Sequence, residues 1–418
     1  MDHFNYRHQR LYAEDVALET IANTVGTPCY VYSRATLERH WRVVDDAFGD
    51  YPHRICYSVK ANSNLAVLRT LAKLGSGFDI VSGGELERVL RAGGDPQQTV
   101  FSGVGKTESE IRFALESGVS CINIESKGEL DRIGRCAAEL GITARIAVRV
   151  NPDVDPVTHP YIATGLQETK FGVPIAGAVE LYQRASQHPQ IEISGVACHI
   201  GSQLTDVGPY TEAVDRVLAL VDQLQDAGIL LQHVDLGGGL GIRYRDEQPP
   251  SPAAYVEALL ARFKQRDTHI PISIEPGRVI VGNAGILLTR VEYLKHGKPK
   301  NFAIVDAAMN DLLRPALYQA WQEIVAVEIE PDAPTRTYDV VGPVCETADS
   351  LGSNRELAIR AGALLAIRSA GAYGAVMSSN YNTRPRAPEV LVNGARYSVV
   401  RRRETIDDVL RNETLEGV

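Results

Sequence analysis

The chain of 418 residues is too long for one small module, and at roughly 100–200 residues per domain it predicts two or three domains. With 44% hydrophobic and 23% charged residues it sits near the globular average, which excludes a disordered, collagenous or disulfide-dense chain. Lys and Arg number 43 against 52 Asp and Glu, a net charge of −9 with the basic residues scattered, so nucleic acid is not an expected partner.

The first residues, MDHFNYRHQRLYAEDVALETIA, carry acidic side chains and lack the apolar core of a secretory signal. No run reaches the roughly 18 apolar residues that a membrane-spanning helix needs, so a soluble cytoplasmic protein without a membrane partner is expected. After a Gly26-Thr27-Pro28 turn, CYVYS (29 to 33) reads as a strand, and the whole first 33 residues read as strand-like.

From about residue 50 to 280 a short apolar, β-branched run repeatedly gives way to a longer amphipathic stretch. The runs are RICYSVKAN (54 to 62), GFDIVS (77 to 82), TVFSG (99 to 103), CINIES (121 to 126), RIAVRVN (145 to 151), EISGVACHI (192 to 200), HVDLGGG (233 to 239) and PISIEPG (271 to 277). Between them, LAVLRTLAKLG, GGELERVLRAGG, TESEIRFALESG, KGELDRIGRCAAELG and YTEAVDRVLALVDQLQDAG carry helical apolar spacing, and Gly closes most of them. Alternating strand and helix means βα units and a parallel sheet. Eight units over roughly 225 residues fit an α/β fold of the (β/α)₈ TIM-barrel type, with a doubly wound open sheet as the alternative.

After about residue 284 the texture changes. ILLTRVEYLKH, KNFAIVDA, RTYDVVGPV, ALLAIRSAGAYG, PEVLVNG and RYSVVRRRE are strands bounded by Gly, Pro and Asn. The expected organisation is a barrel over 34–283 and a mostly β C-terminal domain, 284–418, completed by the N-terminal segment 1–33.

Six cysteines (Cys29, Cys56, Cys121, Cys136, Cys198, Cys345) show no close pairing, so neither a disulfide framework nor a metal site is expected. Cys56, Cys121 and Cys198 lie in apolar runs and read as buried, inert thiols.

Barrel chemistry projects from the C-terminal ends of the strands. Those ends carry Lys60, Asp79 with Ser82, Ser102, Glu125, Arg149 with Asn151, His199 with Ser202, the run GGGLG (237 to 241), and Glu275 with Gly277 and Arg278. Lys60 closes an apolar strand, where an ammonium is costly unless its pKa falls or it forms a covalent link. It is either a Schiff-base lysine or one that snorkels out of the barrel mouth. GGGLG and Gly277-Arg278 follow the seventh and eighth strands, where barrels often bind phosphate on backbone N–H groups. A dinucleotide fingerprint is the competing reading of GGGLG, but no helix follows it. Glu275 beside a phosphate site makes sense if it faces a cation. A phosphate cradle, an aldehyde-reactive lysine and a carboxylate for a pyridinium nitrogen together describe pyridoxal 5′-phosphate, with His199 stacking on the ring or handling a proton.

YSVKAN, GFDIVSGGE, HIGSQ, GGGLG and EPGR, in that order, resemble the group III pyridoxal-phosphate decarboxylases, built on an alanine-racemase-type barrel. MNDLLRPALY (309 to 318), GPVCETAD (342 to 349) and SAGAYG (369 to 374) narrow the resemblance to the diaminopimelate decarboxylase family. The similarity runs through nearly the whole chain. It implies that Lys60 carries the cofactor, Glu275 keeps its ring nitrogen protonated and His199 stacks on the ring. Asp79, Ser202, Gly238, Gly239, Gly241, Gly277, Arg278 and Tyr373 complete the implied cofactor set. The resemblance further implies that Arg278, Arg314 and Tyr318 bind the substrate's distal carboxylate, beside Tyr373, and that Glu346 reads its distal amino group. Cys345 corresponds to a residue contributed across a dimer interface, which implies a homodimer with shared active sites. The implied reaction is decarboxylation of meso-2,6-diaminopimelate to L-lysine and CO₂, the last step of lysine biosynthesis. Either Cys345 or Lys60 would return the proton to carbon.

Two details depart from the family pattern: Val279 follows EPGR where Ser is frequent, and Thr347-Ala348 follow Cys345-Glu346 where Ser commonly comes next. The segment 159–173, HPYIATGLQETKFGV, resembles the part thought to sort substrates. A decarboxylase of another basic amino acid or carboxylated polyamine is the second reading, which the pair Arg278 and Arg314 disfavours. A racemase would want an unprotonated ring nitrogen, for which Glu275 is the wrong partner. A cofactor-binding homologue without catalysis is the third, against which Lys60, Cys345 and Glu346 stand together.

Overall fold

The computed structural model describes residues 2–155 and 170–417 and divides them into two compact units, His40–Arg243 with Glu247–Ile280, and Met1–Arg39 with Tyr244–Asp246 and Val281–Val418. Most of the segment 159–173 lies outside the described residues.

The first unit holds eight parallel strands: β1 (His53–Ser58), β2 (Gly77–Ile80), β3 (Thr99–Phe101), β4 (Cys121–Ile124), β5 (Ala144–Asn151), β6 (Ile191–Cys198), β7 (His233–Asp235) and β8 (Ile272–Ile274). Each pairs with the next, and Ile272 of β8 pairs with His53 of β1, so the sheet closes on itself. The barrel is as expected, and closure rules out the open sheet. All eight strand runs of the sequence are present, and a two-residue strand, Val173–Pro174, adds beside β5.

β2, β3 and β4 are buried at every position, as strands covered on both faces must be. Inside the barrel Cys56, Val100, Cys121, Ala147 and Ala197, from five strands, pack together, so these thiols are core filling. Burial pushes the Cys121 and Cys198 thiols up to about 12. All six cysteines are free, and Cys345 is exposed.

The helices begin and end on local signals. Ser82 caps Gly83–Ala92 by accepting from Glu85 N, Thr107 and Glu110 form a capping box on Glu108–Ser117, and Ser126 caps Lys127–Leu140. Gly93, Gly118 and Gly141 close the same three helices in the left-handed conformation. Ser82, a strand-end candidate in the sequence, therefore serves as a cap.

In the second unit, Cys29–Ser33 runs antiparallel to Gly285–His296 and parallel to Glu389–Asn393. The N-terminal segment thus completes the C-terminal sheet. Leu11, Ile21, Val31, Ile286, Leu288, Val390 and Val392 belong to its core. Several elements were not expected, among them the short helices Arg314–Tyr318 and Ile406–Leu410. Leu18–Val25 is a helix, because Leu18, Ile21 and Ala22 fall on one buried face at helical spacing. Ile324–Ala326 and Ser350–Ala358 are strands. The second reads SLGSNRELA, too polar for a strand signal, and gains its place by pairing with Thr335–Val341. Among the described residues no helix is long and apolar enough to cross a membrane.

Candidate active site

At the C-terminal ends of the barrel strands the charged groups gather. β1 stops at Ser58 and one tight turn, Val59–Ala61, follows, so Lys60 stands just past the strand instead of inside it. Its ammonium pairs with Asp79, whose carboxylate at the end of β2 is fully buried while the Lys60 side chain is 37% exposed. Ser58 Oγ lies 2.9 Å from both Asp79 Oδ2 and the Glu275 carbonyl oxygen, and its one proton serves either.

Glu275 follows β8. Ser102 Oγ reaches its Oε1 at 3.4 Å, and Asn123 Nδ2 donates to Ser102 Oγ at 3.0 Å. Burial, then the nearby carboxyls of Asp235 and Asp79, push the Glu275 pKa well above the usual range, with Lys60 and Arg149 opposing. Asp235, the last residue of β7, is also buried and pushed up, while Gly237 N donates to its Oδ1 at 2.9 Å. Three carboxyls, in β2, at the end of β7 and just after β8, thus share one interior region, and among the described residues Asp79 Oδ1 is buried without a hydrogen-bond partner. Such a cluster is short of positive charge. A cationic ring nitrogen suits it.

His199, just after β6, accepts from Gly238 N at Nδ1 (3.2 Å), which puts a neutral ring's proton on Nε2. Burial holds its pKa well below the usual histidine range, and Arg149 and Lys60 add to the effect. Arg278 is buried, opens the short helix Arg278–Val281, and donates from Nη2 to Ser202 Oγ at 3.0 Å.

The glycines are constrained by backbone. A Cβ on Gly238 would lie 2.1 Å from the Glu275 carbonyl oxygen, one on Gly239 2.3 Å from Gly201 O, and one on Gly241 2.7 Å from Leu204 O. A Cβ on Gly277 would lie 2.9 Å from Ala61 Cβ, so this glycine lets the end of β8 close onto the turn that carries Lys60. Their bareness keeps strand ends close, and the N–H of Gly241 donates to Leu204 O at 3.0 Å as that of Gly238 does to His199.

The remaining strand-end residues have other partners. Glu125 and Arg149 form a buried ion pair at 3.3 Å, and Glu125 Oε2 accepts from Gly172 N at 2.7 Å. Asn151 Oδ1 accepts from Asp153 N. Two groups were missed by the sequence reading. Asp235 had one signal, an acid directly before the glycine run. Glu85, which burial pushes up to about 7 near Lys60 and Asp79, reads from sequence as an ordinary first-turn helix acid.

In the second unit Arg314 is buried at the start of the helix Arg314–Tyr318, with its guanidinium 4.6 Å from the centre of the Tyr244 ring. Tyr318 is half-buried at the other end. Tyr373 adopts a left-handed φ of 54°. A Cβ on its neighbour Gly374 would sit 2.5 Å from Ala370 O, so the GAYG run is tightly folded. Cys345 and Glu346 are exposed on a turn held by Asp349, whose Oδ2 accepts from Val344 N (2.7 Å) and Oδ1 from Met309 N (2.6 Å). One buried carboxylate thereby ties GPVCETAD to MNDLLRP.

Residues 34–282 match the family described as "Pyridoxal-dependent decarboxylase, pyridoxal binding domain". Over 416 residues the chain is 60% identical to a diaminopimelate decarboxylase of Pseudomonas fluorescens and 57% identical to one of Vibrio cholerae, covering 99% of both chains in each comparison. The crystal structure of diaminopimelate decarboxylase from Helicobacter pylori complexed with L-lysine matches with a TM-score of 0.91 at 42% identity, over 94% of this chain and 98% of that one. Matched as a pyridoxal-binding barrel and similar to such relatives from end to end, the chain belongs to the pyridoxal-dependent decarboxylases, in the diaminopimelate decarboxylase family.

Proposed function

We propose that the chain is a pyridoxal-phosphate-dependent carboxy-lyase that converts meso-2,6-diaminopimelate to L-lysine and CO₂, the last step of lysine biosynthesis. The observation that carries the reading is the barrel-mouth cluster, where one amine, Lys60, stands against buried carboxyls that need a cation. Pyridoxal phosphate, when bound, supplies the electron sink for the bond broken to the α-carboxylate.

Lys60 holds the aldehyde end, with Asp79 fixing the direction of its amine. Glu275, supported by Asp235, would hold the ring nitrogen in its protonated form. Neutral His199 would stack against the ring without adding a competing charge. Arg278, Ser202 and the backbone at Gly239 and Gly277 would hold the phosphate, Gly238 and Gly241 would shape the loop around it, and Tyr373 would add a phenol to the same set.

Toward the substrate, Arg278 and Arg314 suit the distal carboxylate because guanidinium forks match it, and Tyr318 assists. Glu346 takes the distal ammonium and Cys345 returns the proton to the α-carbon, with Lys60 as the alternative donor. The working form is a cytoplasmic homodimer in which Cys345 and Glu346 serve the partner's site. In this reading 34–283 is the cofactor domain, while 1–33 and 284–418 form the substrate domain.

Lys60→Ala should remove both the visible absorbance band of bound cofactor and CO₂ release. Mixing that variant with Cys345→Ala subunits should recover part of the CO₂ release through sites built from two chains. An unaltered cofactor band in Lys60→Ala would contradict the assignment, and failure of the mixture to recover any activity would contradict the shared site.

A further inference from the structure

We infer that Tyr381 is a positioning residue for recognition of the substrate's distal ammonium, holding one oxygen of Glu346 so that the other faces the incoming cation. The inference rests on the reading that Glu346 takes that ammonium. Tyr381 Oη donates to Glu346 Oε2 at 3.0 Å. The tyrosine is 46% exposed, so burial does not force the contact, and water could satisfy the same hydroxyl.

The loop around it forces the contact instead. Asn382 and Thr383 both adopt a left-handed φ of 56°, a costly conformation that persists only where the surroundings over-determine it. Those surroundings are Ser379 N donating to Asn310 O (2.9 Å), Arg384 Nε donating to Asn310 Oδ1 (3.1 Å) and Asn380 Nδ2 donating to Glu404 Oε2 (2.8 Å). From this clamped loop a second contact reaches the same turn, since Asn382 Oδ1 accepts from Cys345 N at 3.2 Å. The Cys345–Glu346 turn is therefore fixed from one side by Asp349 and from the other by Tyr381 and Asn382.

Chemically, Glu346 is an exposed carboxylate that, among the described residues, forms no ion pair with a lysine or arginine and is held by a phenol. A phenol donor orients a carboxylate without adding a counter-charge. Oε1 keeps its full accepting capacity for an ammonium.

The test compares holoenzyme carrying Tyr381→Phe, which removes only the hydroxyl, with holoenzyme carrying Glu346→Gln. Each is assayed with meso-diaminopimelate and with racemic 2-aminopimelate as a competitor that keeps the distal carboxylate and lacks the distal amine. Tyr381→Phe should raise KM for meso-diaminopimelate about five- to tenfold, the effect of losing one hydrogen bond of ordinary strength that acts on the substrate only through Glu346. It should leave kcat within about twofold, and because 2-aminopimelate lacks the amine that Glu346 takes, its Ki and the cofactor spectrum should not change. If Glu346→Gln raises KM and Tyr381→Phe does not, the positioning role falls while the role of Glu346 stands. If Tyr381→Phe weakens 2-aminopimelate as much as the substrate, the tyrosine acts on the fold and the inference is overturned. If Glu346→Gln leaves KM unchanged, the reading of Glu346 falls and takes the inference with it.

Discussion

Asp235 is a carboxyl placed where burial argues against charge, and that has a consequence for stability. Burial, with Asp79 nearby, raises its pKa from the usual aspartate value to about 6, and Glu275 is raised beside it. The folded protein then binds these protons more tightly than the unfolded chain, so their contribution to stability is full below the unfolded pKa and declines as pH rises toward the folded one. His199 works in the opposite sense: its pKa is held down, so stability is lost as pH falls below the unfolded histidine value. Asp235→Asn keeps the shape and the acceptor for Gly237 N but removes the titrating group. Cofactor-free Asp235→Asn should therefore lose less stability than the parent between about pH 4.5 and 6.5, measured as urea midpoints at the two values. Identical pH dependence in the two proteins would show that Asp235 is not held protonated. Sequence could place this acid at a strand end but not its neighbours, because Asp79 and Glu275 reach it only through barrel closure.

At the scale of elements, the glycine run GGGLG reads from sequence as an anion cradle, and the structure gives its glycines a packing role. Gly238→Ala puts a methyl group 2.1 Å from a backbone oxygen of Glu275, which cannot move without displacing β8. Overpacking of this kind costs roughly 1–3 kcal/mol. The variant should lose that much in a urea titration and bind pyridoxal phosphate more weakly, because Glu275 moves. Gly128→Ala is the control, since nothing lies within 4 Å of its added Cβ in the helix Lys127–Leu140 and no stability should be lost. Equal stability in the two variants would mean that the strand ends are less tightly fixed than the distances imply. The helix caps Ser82, Thr107 and Ser126 were in plain view in the sequence as residues, but their roles were not. A serine after a strand serves equally as a cap or as a ligand until the following turn is known.

Across the whole molecule, the strands of the barrel were legible because each is a short apolar run bounded by turn residues, and their number implied closure. The strand Ser350–Ala358 and the helix Leu18–Val25 were not, since one is polar and the other short. Their places come from partners distant in the chain. The same limit applies to the site: Lys60, His199, Glu275 and Arg278 stand at strand ends where barrel chemistry is sought, whereas Tyr381 meets Glu346 through a loop that follows no periodic pattern. The proposed function gives the barrel the cofactor and the β unit the two ends of a dicarboxylic diamine. It is tested most directly by CO₂ release from meso-diaminopimelate, lysine and ornithine under identical conditions with pyridoxal phosphate. Turnover of meso-diaminopimelate alone is expected, because only that substrate carries a distal carboxylate, the group proposed for Arg278 and Arg314. Ornithine or lysine turnover at a comparable kcat/KM would contradict it.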